Sequence, residues 1–248
     1  MTSDDAIPAA TLIVWRDSAA GPEILVVERS ARMAFAAGAV VFPGGRIDES
    51  DRELAARIDR QQEAAKVTAI RETIEETGVA PGFVGDLSPE LALHMQTSLH
   101  EGAEFAGLLK HHNLQLDLDA LTPFARWMPA FRQPRKFDTL FFIVPAPPGD
   151  WQPVPQEGEC VSAEWARPAD LIDRIALGQA SAIFPTKRNL ERLAQHGSID
   201  TALKDARGHS METIIPWVEE IAGEPHVRIP EGRGYPVISE PLATAFRA

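Results

Sequence analysis

The chain has 248 residues, of which 44% are hydrophobic, and this length and composition suit one globular domain with extensions. The formal net charge of −12 argues against a nucleic acid as the main partner, and no apolar run approaches the ~20 residues of a membrane span. The single cysteine, Cys160, excludes an internal disulfide, and the first ten residues lack the basic region of a secretory signal, so we expect a cytoplasmic protein.

Three short apolar segments near the N-terminus predict strands. They cover residues 11–16, 23–29 and 39–42. The turn-like stretch 17–22 joins the first two into a predicted hairpin, and Pro43-Gly44-Gly45 stops the third.

The central part of the chain has helical spacing. Apolar residues recur on one face from Gln61 to Thr77, and Gly78 is a plausible C-terminal stop for this helix. Residues 82–124 lack the alternation of strands, and their leucines, methionine and phenylalanine are spaced as on helices. We therefore expect a helical insertion over about 82–124.

The remaining elements predict a return to the sheet. Strand patterns occur at 126–131, 138–144 and 159–166, and helical patterns at 168–177 and 187–195. From Gly208 the pattern weakens and prolines recur, which predicts an extended tail packed on its own domain or on a partner. The order predicts a mixed sheet with helices on its faces, with one domain over 8–180 and C-terminal helices and a tail over 181–248.

Three glutamates share one face of the central helix. Counted from Glu72 at about 100° per residue, Glu75 and Glu76 lie roughly 60° to one side and 40° to the other. Like charges at this spacing repel, and the C-terminal half of a helix disfavours anions. A bound divalent cation would reverse this penalty, because Mg²⁺ binds carboxylate and phosphate oxygens.

The spacing around these glutamates resembles the Nudix box, G-x5-E-x7-R-E-U-x-E-E-x-G-U with U apolar. The residues that match from E-x7-R-E onward are Glu63, Arg71, Glu72, Glu75, Glu76, Gly78 and Val79, preceded upstream by Phe42-Pro43-Gly44-Gly45. The chain departs from the pattern in two ways. About a dozen residues are inserted between Gly45 and Glu63, and Thr73 stands where an aliphatic residue is usual.

The resemblance implies an α/β/α sandwich with a mixed sheet and an enzyme that uses Mg²⁺ or Mn²⁺ to cleave a diphosphate bond. It implies Glu72, Glu75 and Glu76 as metal ligands, with the Gly45 carbonyl as a further ligand. Arg71 would orient these carboxylates, and Glu63 would pair with Arg71 or act as an outer ligand. The alternative for Glu63 and Arg71 is a plain ion pair on the helix surface.

The general base differs between members of the family. It is a glutamate of the box, here Glu75 or Glu76, or one on a later loop, for which Glu157 and Glu159 are the candidates. The alternative reading of Glu157 and Glu159 is a pair of ordinary loop acids.

The basic residues near predicted strand ends are candidates for binding substrate phosphates: Arg29, Arg32, Arg135 and Lys136. The segment R-S-x-R-x5-G-x3-F-P-G-G partly resembles the coenzyme A-recognition segment of coenzyme A diphosphatases, although its arginine spacing differs. The resemblance therefore implies coenzyme A or acyl-CoA as substrate, with NADH or a nucleotide sugar as alternatives.

Two other classes of function stay open on sequence alone. One is a non-catalytic Nudix module that senses a nucleotide, although such regulators usually lose box carboxylates or add a basic domain. The other is an α/β protein with a coincidental acidic helix. Nudix proteins are often dimers and the tail would suit a dimer surface, so a homodimer is one arrangement that the resemblance implies.

Overall fold

A seven-stranded mixed β-sheet forms the framework of the molecule in the computed structural model, which describes residues 6–32, 36–129 and 136–245. Its strands are β1 Ile7–Ser18, β2 Gly21–Arg29, β3 Val40–Val41, β4 Gly44–Arg46, β5 Thr122–Trp127, β6 Phe137–Pro145 and β7 Cys160–Ala166. The central path runs β3-β2-β1-β6-β5, while β4 pairs with β1 and β7 pairs with β2. The β1–β6 pair is parallel and the other pairs are antiparallel.

Helices cover both faces of this sheet. They are α1 Glu49–Arg57, α2 Ala64–Thr77, α3 Pro89–His100, α4 Phe105–His111, α5 Pro168–Ala176, α6 Phe184–Leu193, α7 Ile199–Gly208 and α8 Leu242–Ala245. Alternate side chains of β1 enter opposite cores, as a strand with two buried faces requires. Leu12 packs in one core with Ile70 of α2, and Ile13 packs in the other with Leu190 of α6. The expected α/β/α sandwich is confirmed.

The predicted helical insertion contains α3, α4 and a short 3₁₀ turn at Leu118–Ala120. It ends earlier than expected, because β5 already begins at Thr122 and Phe124 is buried in the core shared with α6. The predicted central helix also starts later than expected. Residues Gln61–Glu63 form a separate 3₁₀ turn, and the α-helix begins at Ala64.

The proline-rich tail is more regular than its pattern indicates. It contains a second, antiparallel sheet of three strands, β8 Trp217–Ile221, β9 Glu224–Arg228 and β10 Ser239–Pro241. The tail packs on its own domain: Trp127 Nε1 donates to the Tyr235 hydroxyl (3.0 Å), which donates to Asn189 Oδ1 (2.8 Å). Among the described residues, no helix is long and apolar enough to cross a membrane.

Candidate active site

The carboxylates of α2 lie directly against the backbone of β4. The Gly44 N–H donates to Glu76 Oε2 (3.0 Å), and a Cβ placed on Gly45 would collide with the Glu72 carboxylate. A side chain at Gly44 would meet Thr11 Cα of the neighbouring strand at 2.7 Å. The two glycines therefore allow a strand edge to approach a row of acidic side chains, which explains why the Pro-Gly-Gly stop and the glutamate helix belong to one site.

Apolar packing fixes the orientation of α2. Val67, Ile70 and Ile74 are fully buried against the sheet, so the glutamates on the other sector face β4. Thr73, which replaces an aliphatic residue, is also buried, and its hydroxyl donates to the Ala69 carbonyl (2.7 Å). Because this bond satisfies the hydroxyl within the helix, the substitution leaves no unpaired polar group. Gly78 ends the helix in the left-handed conformation (φ 67°), as predicted.

Burial makes ionisation of these carboxylates costly. It raises the pKa of Glu76 to about 8, and the neighbouring Glu72 charge adds to the effect. Burial likewise raises the pKa of Glu72 to about 7, against the opposing influence of Arg71. A bound cation would stabilise the ionised form of these two acids.

Arg71 lies behind the carboxylates and contacts two of them. Its guanidinium is 2.9 Å from Glu72 Oε1 and 3.1 Å from Glu75 Oε2. Its Nε and one terminal nitrogen each donate to Asp51, at 2.9 Å and 2.9 Å, in a two-pronged pair with a carboxylate that is only 1% exposed. Arg71 therefore links Asp51 of α1 to two of the predicted metal ligands, and its position agrees with an orienting role.

The expected pairing of Glu63 with Arg71 is wrong. Glu63 accepts from Lys66 (2.9 Å) and from Arg60, and the Arg60 guanidinium holds the pKa of Glu63 below its usual range. Arg60 also donates to Asp119 (2.6 Å). Arg60 thus ties Glu63, at the start of α2, to the end of the insertion, and Asp51 occupies the place beside Arg71.

The sequence does contain a signal for Asp51. Asp51 stands six positions after Gly45, which is the spacing G-x5-acid of the box, whereas Glu63 satisfies only the distance to Arg71. The inserted residues therefore follow the acid instead of preceding it. They allow α1 to turn back so that the Thr68 hydroxyl also donates to Asp51 (2.8 Å).

Arg29 is the predicted phosphate-binding residue that lies nearest the carboxylates. It ends β2, and its guanidinium is 3.6 Å from Glu76 Oε1. Its Nε–H is buried and has no hydrogen-bond partner among the described residues. A cation with unused donor capacity beside an acid cluster is well placed to bind an anionic substrate.

The other predicted basic residues lie farther out. Arg32 is exposed beyond the end of β2, and Arg135 falls outside the described residues. Lys136 precedes β6 and its carbonyl accepts from the Ile7 N–H (2.7 Å). It is four residues before Leu140, the residue on β6 that is level with Gly45, which corresponds to roughly 13 Å along a strand.

The candidate bases lie on the turn at residues 156–160, which precedes β7 in the chain. In space this turn lies between the ends of α2 and β2. The Cys160 N–H donates to the Gln156 carbonyl (3.1 Å) and the Ser30 N–H donates to the Glu159 carbonyl (2.7 Å). Glu157 and Glu159 are exposed, and the charge of Glu159 acts on Glu76. Burial raises the pKa of the Cys160 thiol to about 12, which agrees with a small buried residue and not with a nucleophile.

The donors at this site fit a hard divalent cation. Carboxylate and carbonyl oxygens of Glu72, Glu75, Glu76 and Gly45 are the ligand types that Mg²⁺ and Mn²⁺ take. Within the described ranges, no three acidic, histidine or cysteine groups are already gathered so as to hold a metal ion together. Each of the three glutamates instead contacts an arginine, Arg71 or Arg29, so metal binding would require these side chains to adjust.

The raised pKa values predict how stability depends on pH. In EDTA, the free energy of unfolding should fall as pH rises from about 5 to about 8, because folded Glu72 and Glu76 keep protons that the unfolded chain has released. The protonated glutamates contribute their full stabilisation below pH 4.5, which is the pKa in the unfolded chain, and this contribution is lost above about pH 8. Added Mg²⁺ should restore stability most at the alkaline end, because it binds the ionised carboxylates.

Denaturant titrations over this range, with EDTA and with Mg²⁺, measure the effect. Half-buried Glu191, whose pKa desolvation raises to about 7, contributes a slope of the same sign. Glu76→Gln provides the control, because it removes the Glu76 contribution and should flatten the profile. Identical slopes for the wild type and this variant would contradict the assignment.

Comparison with known proteins agrees with this geometry. Residues 6–184 match the family model of the NUDIX domain. The chain is 24% identical to the human acyl-coenzyme A diphosphatase NUDT19, over 81% of this chain and 68% of that protein. It is 38% identical to the uncharacterized Nudix hydrolase NudL of Citrobacter koseri, over 30% of this chain and 44% of that protein.

A solved structure shows the same fold. The NUDIX hydrolase from Alicyclobacillus acidocaldarius aligns with a TM-score of 0.69 and 32% identity, over 81% of this chain and 96% of that chain. The family match covers well over half of the chain, and it includes both the glycines of β4 and the glutamates of α2. The chain therefore belongs to the Nudix family and is a Nudix hydrolase, an enzyme that acts on a diphosphate bond.

Proposed function

We propose that this enzyme is a Mg²⁺- or Mn²⁺-dependent diphosphatase that cleaves a nucleoside diphosphate linked to another moiety, with coenzyme A or acyl-CoA as its substrate. The observation that carries the proposal is the buried acid cluster of α2 against β4, in which burial holds the pKa values of Glu72 and Glu76 above their usual range. Arg71 and Arg29 offset only part of the cost of these charges, because the pKa values stay raised beside them, and a bound metal ion would offset the rest.

Glu72, Glu75 and Glu76, with the Gly45 carbonyl, are the proposed metal ligands. When bound, the metal ions supply charge neutralisation of the diphosphate oxygens and a water of lowered pKa. Arg71 holds Glu72 and Glu75 in place through its contacts at 2.9 and 3.1 Å. Asp51 supports Arg71 from behind, so the arginine is fixed before substrate arrives.

Arg29 is the proposed phosphate-binding residue nearest the reaction, because its guanidinium already lies at the acid cluster and its Nε–H is unused among the described residues. Arg32, Arg135 and Lys136 are proposed to contact more distant phosphates of the substrate.

The proton transfer is assigned to a glutamate of the site. A carboxylate, Glu157 or Glu159 on the turn or a box glutamate, accepts the proton of the attacking water. The new bond joins the water oxygen to one phosphorus, the bond from that phosphorus to the bridging oxygen breaks, and the leaving phosphate departs with the bonding electrons. The products are two phosphomonoesters.

The name of the human relative supports coenzyme A chemistry, because acyl-coenzyme A diphosphatase is a diphosphate-cleaving activity and the match extends over 81% of this chain. The segment from Arg29 to Gly45, with its partial resemblance to the coenzyme A-recognition segment, supports the same substrate. This segment ends at Gly44 and Gly45, and the Gly45 carbonyl is one of the proposed metal ligands.

A turnover assay over a panel of diphosphates tests the proposal. Coenzyme A, acetyl-CoA, NADH, ADP-ribose and a nucleotide sugar would each be incubated with Mg²⁺, with Mn²⁺ and with EDTA, and the products identified by mass spectrometry. We expect phosphopantetheine and adenosine 3′,5′-diphosphate from coenzyme A, and loss of turnover in EDTA. Preferred turnover of NADH or a nucleotide sugar would overturn the assignment of coenzyme A or acyl-CoA as the substrate. Turnover that persists in EDTA would overturn the metal requirement.

A further inference from the structure

The last carbonyls of α2 have unusual partners. A helix leaves its final four carbonyls without intrahelical donors. Here the Gly78 N–H caps Ile74, and the Gln156 and Val154 N–H groups donate to the carbonyls of Glu76 (3.1 Å) and Thr77 (2.8 Å). The carbonyl of Glu75 accepts from the side chain of Gln96 (3.1 Å). The end of the catalytic helix is therefore capped by the segment that leads into the 156–160 turn and by α3 of the insertion.

Gln96 joins these two elements directly. Its Nε2 also donates to the Val154 carbonyl (2.8 Å), so one amide bridges α2 and the segment before the turn. Gln96 is 7% exposed, and loss of its amide would leave the carbonyls of Glu75 and Val154 without this donor. A second link lies one helical turn further along α3, where Gln156 Nε2 donates to His100 Nδ1 (2.9 Å).

The side chains of α3 lie close to the glycine that ends α2. A Cβ on Gly78 would meet Leu93 Cδ2 at 2.7 Å and Gln96 Oε1 at 3.1 Å. The glycine thus serves the left-handed cap and also leaves room for the side chains of α3 that lie over it.

We propose that Gln96, supported by His100, is a positioning residue that holds the 156–160 turn, and with it Glu157 and Glu159, beside the carboxylates of α2. The catalytic part of this inference rests on the proposed function, because it assumes that the turn carries the base. The structural part does not rest on the proposed function, because it concerns only how α3 of the insertion fixes the distance between α2 and the turn.

Hydrogen exchange of the full chain tests the structural part without any turnover. Gln96→Glu keeps the size of the side chain but replaces the donor with a carboxylate that faces two carbonyls. The amides of Val154 and Gln156 should then exchange about tenfold faster than in the wild type, in line with the loss of roughly one hydrogen bond. Gln96→Met, which has neither charge nor donor, should give the same result if the glutamate variant fails to fold.

Thr97→Ala is the matched control, because Thr97 lies next to Gln96 on α3 but is exposed, and its hydroxyl donates within the helix to the Leu93 carbonyl (3.0 Å). It should leave the exchange of both amides unchanged. Unchanged exchange in the Gln96 variants, or equal acceleration in Thr97→Ala, overturns the bridge.

Kinetics then test the catalytic part. In an active enzyme, Gln96→Met should lower kcat by about ten- to 10²-fold, the effect of misplacing a catalytic group by about 1 Å. KM and the affinity for Mn²⁺ should stay within about twofold, since the metal ligands themselves are on α2. An unchanged kcat, or a loss that appears only in Mn²⁺ affinity, overturns the positioning role. A wild-type enzyme without turnover would instead count against the proposed function, and the exchange result would still decide the bridge.

Discussion

Replacing Glu76 with glutamine should lower kcat by at least about 10²-fold, which is the lower range for removing one catalytic or electrostatic group. Glu76 is the most buried of the predicted metal ligands, at 2% exposure, and its Oε2 accepts from the Gly44 N–H. Glutamine keeps the size of the side chain and an acceptor for this bond, but it removes the negative charge that a cation requires. The loss should therefore appear in kcat and in Mn²⁺ affinity while the fold persists.

The same substitution should raise the melting temperature of the protein in EDTA above pH 8. Burial raises the pKa of Glu76 to about 8, so the neutral form is favoured on balance despite the nearby Arg29. Glutamine is neutral at every pH and avoids the cost of a buried charge. Activity and stability should thus change in opposite directions, as expected where a functional site is stabilised only by its ligand. Wild-type activity in this variant would place the metal site elsewhere.

Replacing Asp51 with alanine should destabilise the protein by about 1–3 kcal/mol, the usual effect of leaving buried donors without their acceptor, because Arg71 keeps its contacts with Glu72 and Glu75. Asp51 accepts both prongs of the Arg71 guanidinium and the Thr68 hydroxyl, and all three groups are buried. Once Arg71 loses this support, it is held less firmly beside Glu72 and Glu75. We therefore expect kcat to fall as well, measured at a temperature where the variant is still folded.

Glu63→Gln is the matched control for Asp51→Ala. Glu63 is 24% exposed, and its partners are Arg60, just before α2, and Lys66 in the first turn of α2, at 36% and 12% exposure. Exposed pairs contribute about 0–1 kcal/mol, so urea denaturation should show a small change and kcat should stay near that of the wild type. A loss of stability and kcat in Glu63→Gln as large as that in Asp51→Ala would contradict the assignment of Asp51, instead of Glu63, as the partner of Arg71.

Local patterns were sufficient for the elements that carry the chemistry. The apolar face of α2 and its glycine stop depend on residues within one helix, and the spacing of Glu72, Glu75 and Glu76 places them on one sector by helix geometry alone. The strands β1, β2 and β6 are strongly apolar, and their positions were also predicted from local sequence. The family resemblance then supplied the expected chemistry.

The tail shows where local pattern fails. Its strands β8 and β9 are short and largely exposed, so they lack the alternation of a half-buried strand. What holds them is distant in sequence: Val227 and Ile229 enter the core beside α6, and Tyr235 bonds to residues of β5 and α6. A proline-rich composition therefore indicated an extended chain, whereas long-range packing made part of it a sheet.

The acidic helix itself was determined by the sequence, because helix periodicity and the family spacing act over a few residues. The choice of partner for Arg71 was decided by tertiary structure, since two acids, Asp51 and Glu63, satisfy different halves of the same spacing. Only the way that α1 folds back brings Asp51 to the guanidinium and leaves Glu63 with Arg60 and Lys66. The same holds for Gln96 and the turn with Glu157 and Glu159, because contacts between elements that are more than fifty residues apart depend on how those elements pack.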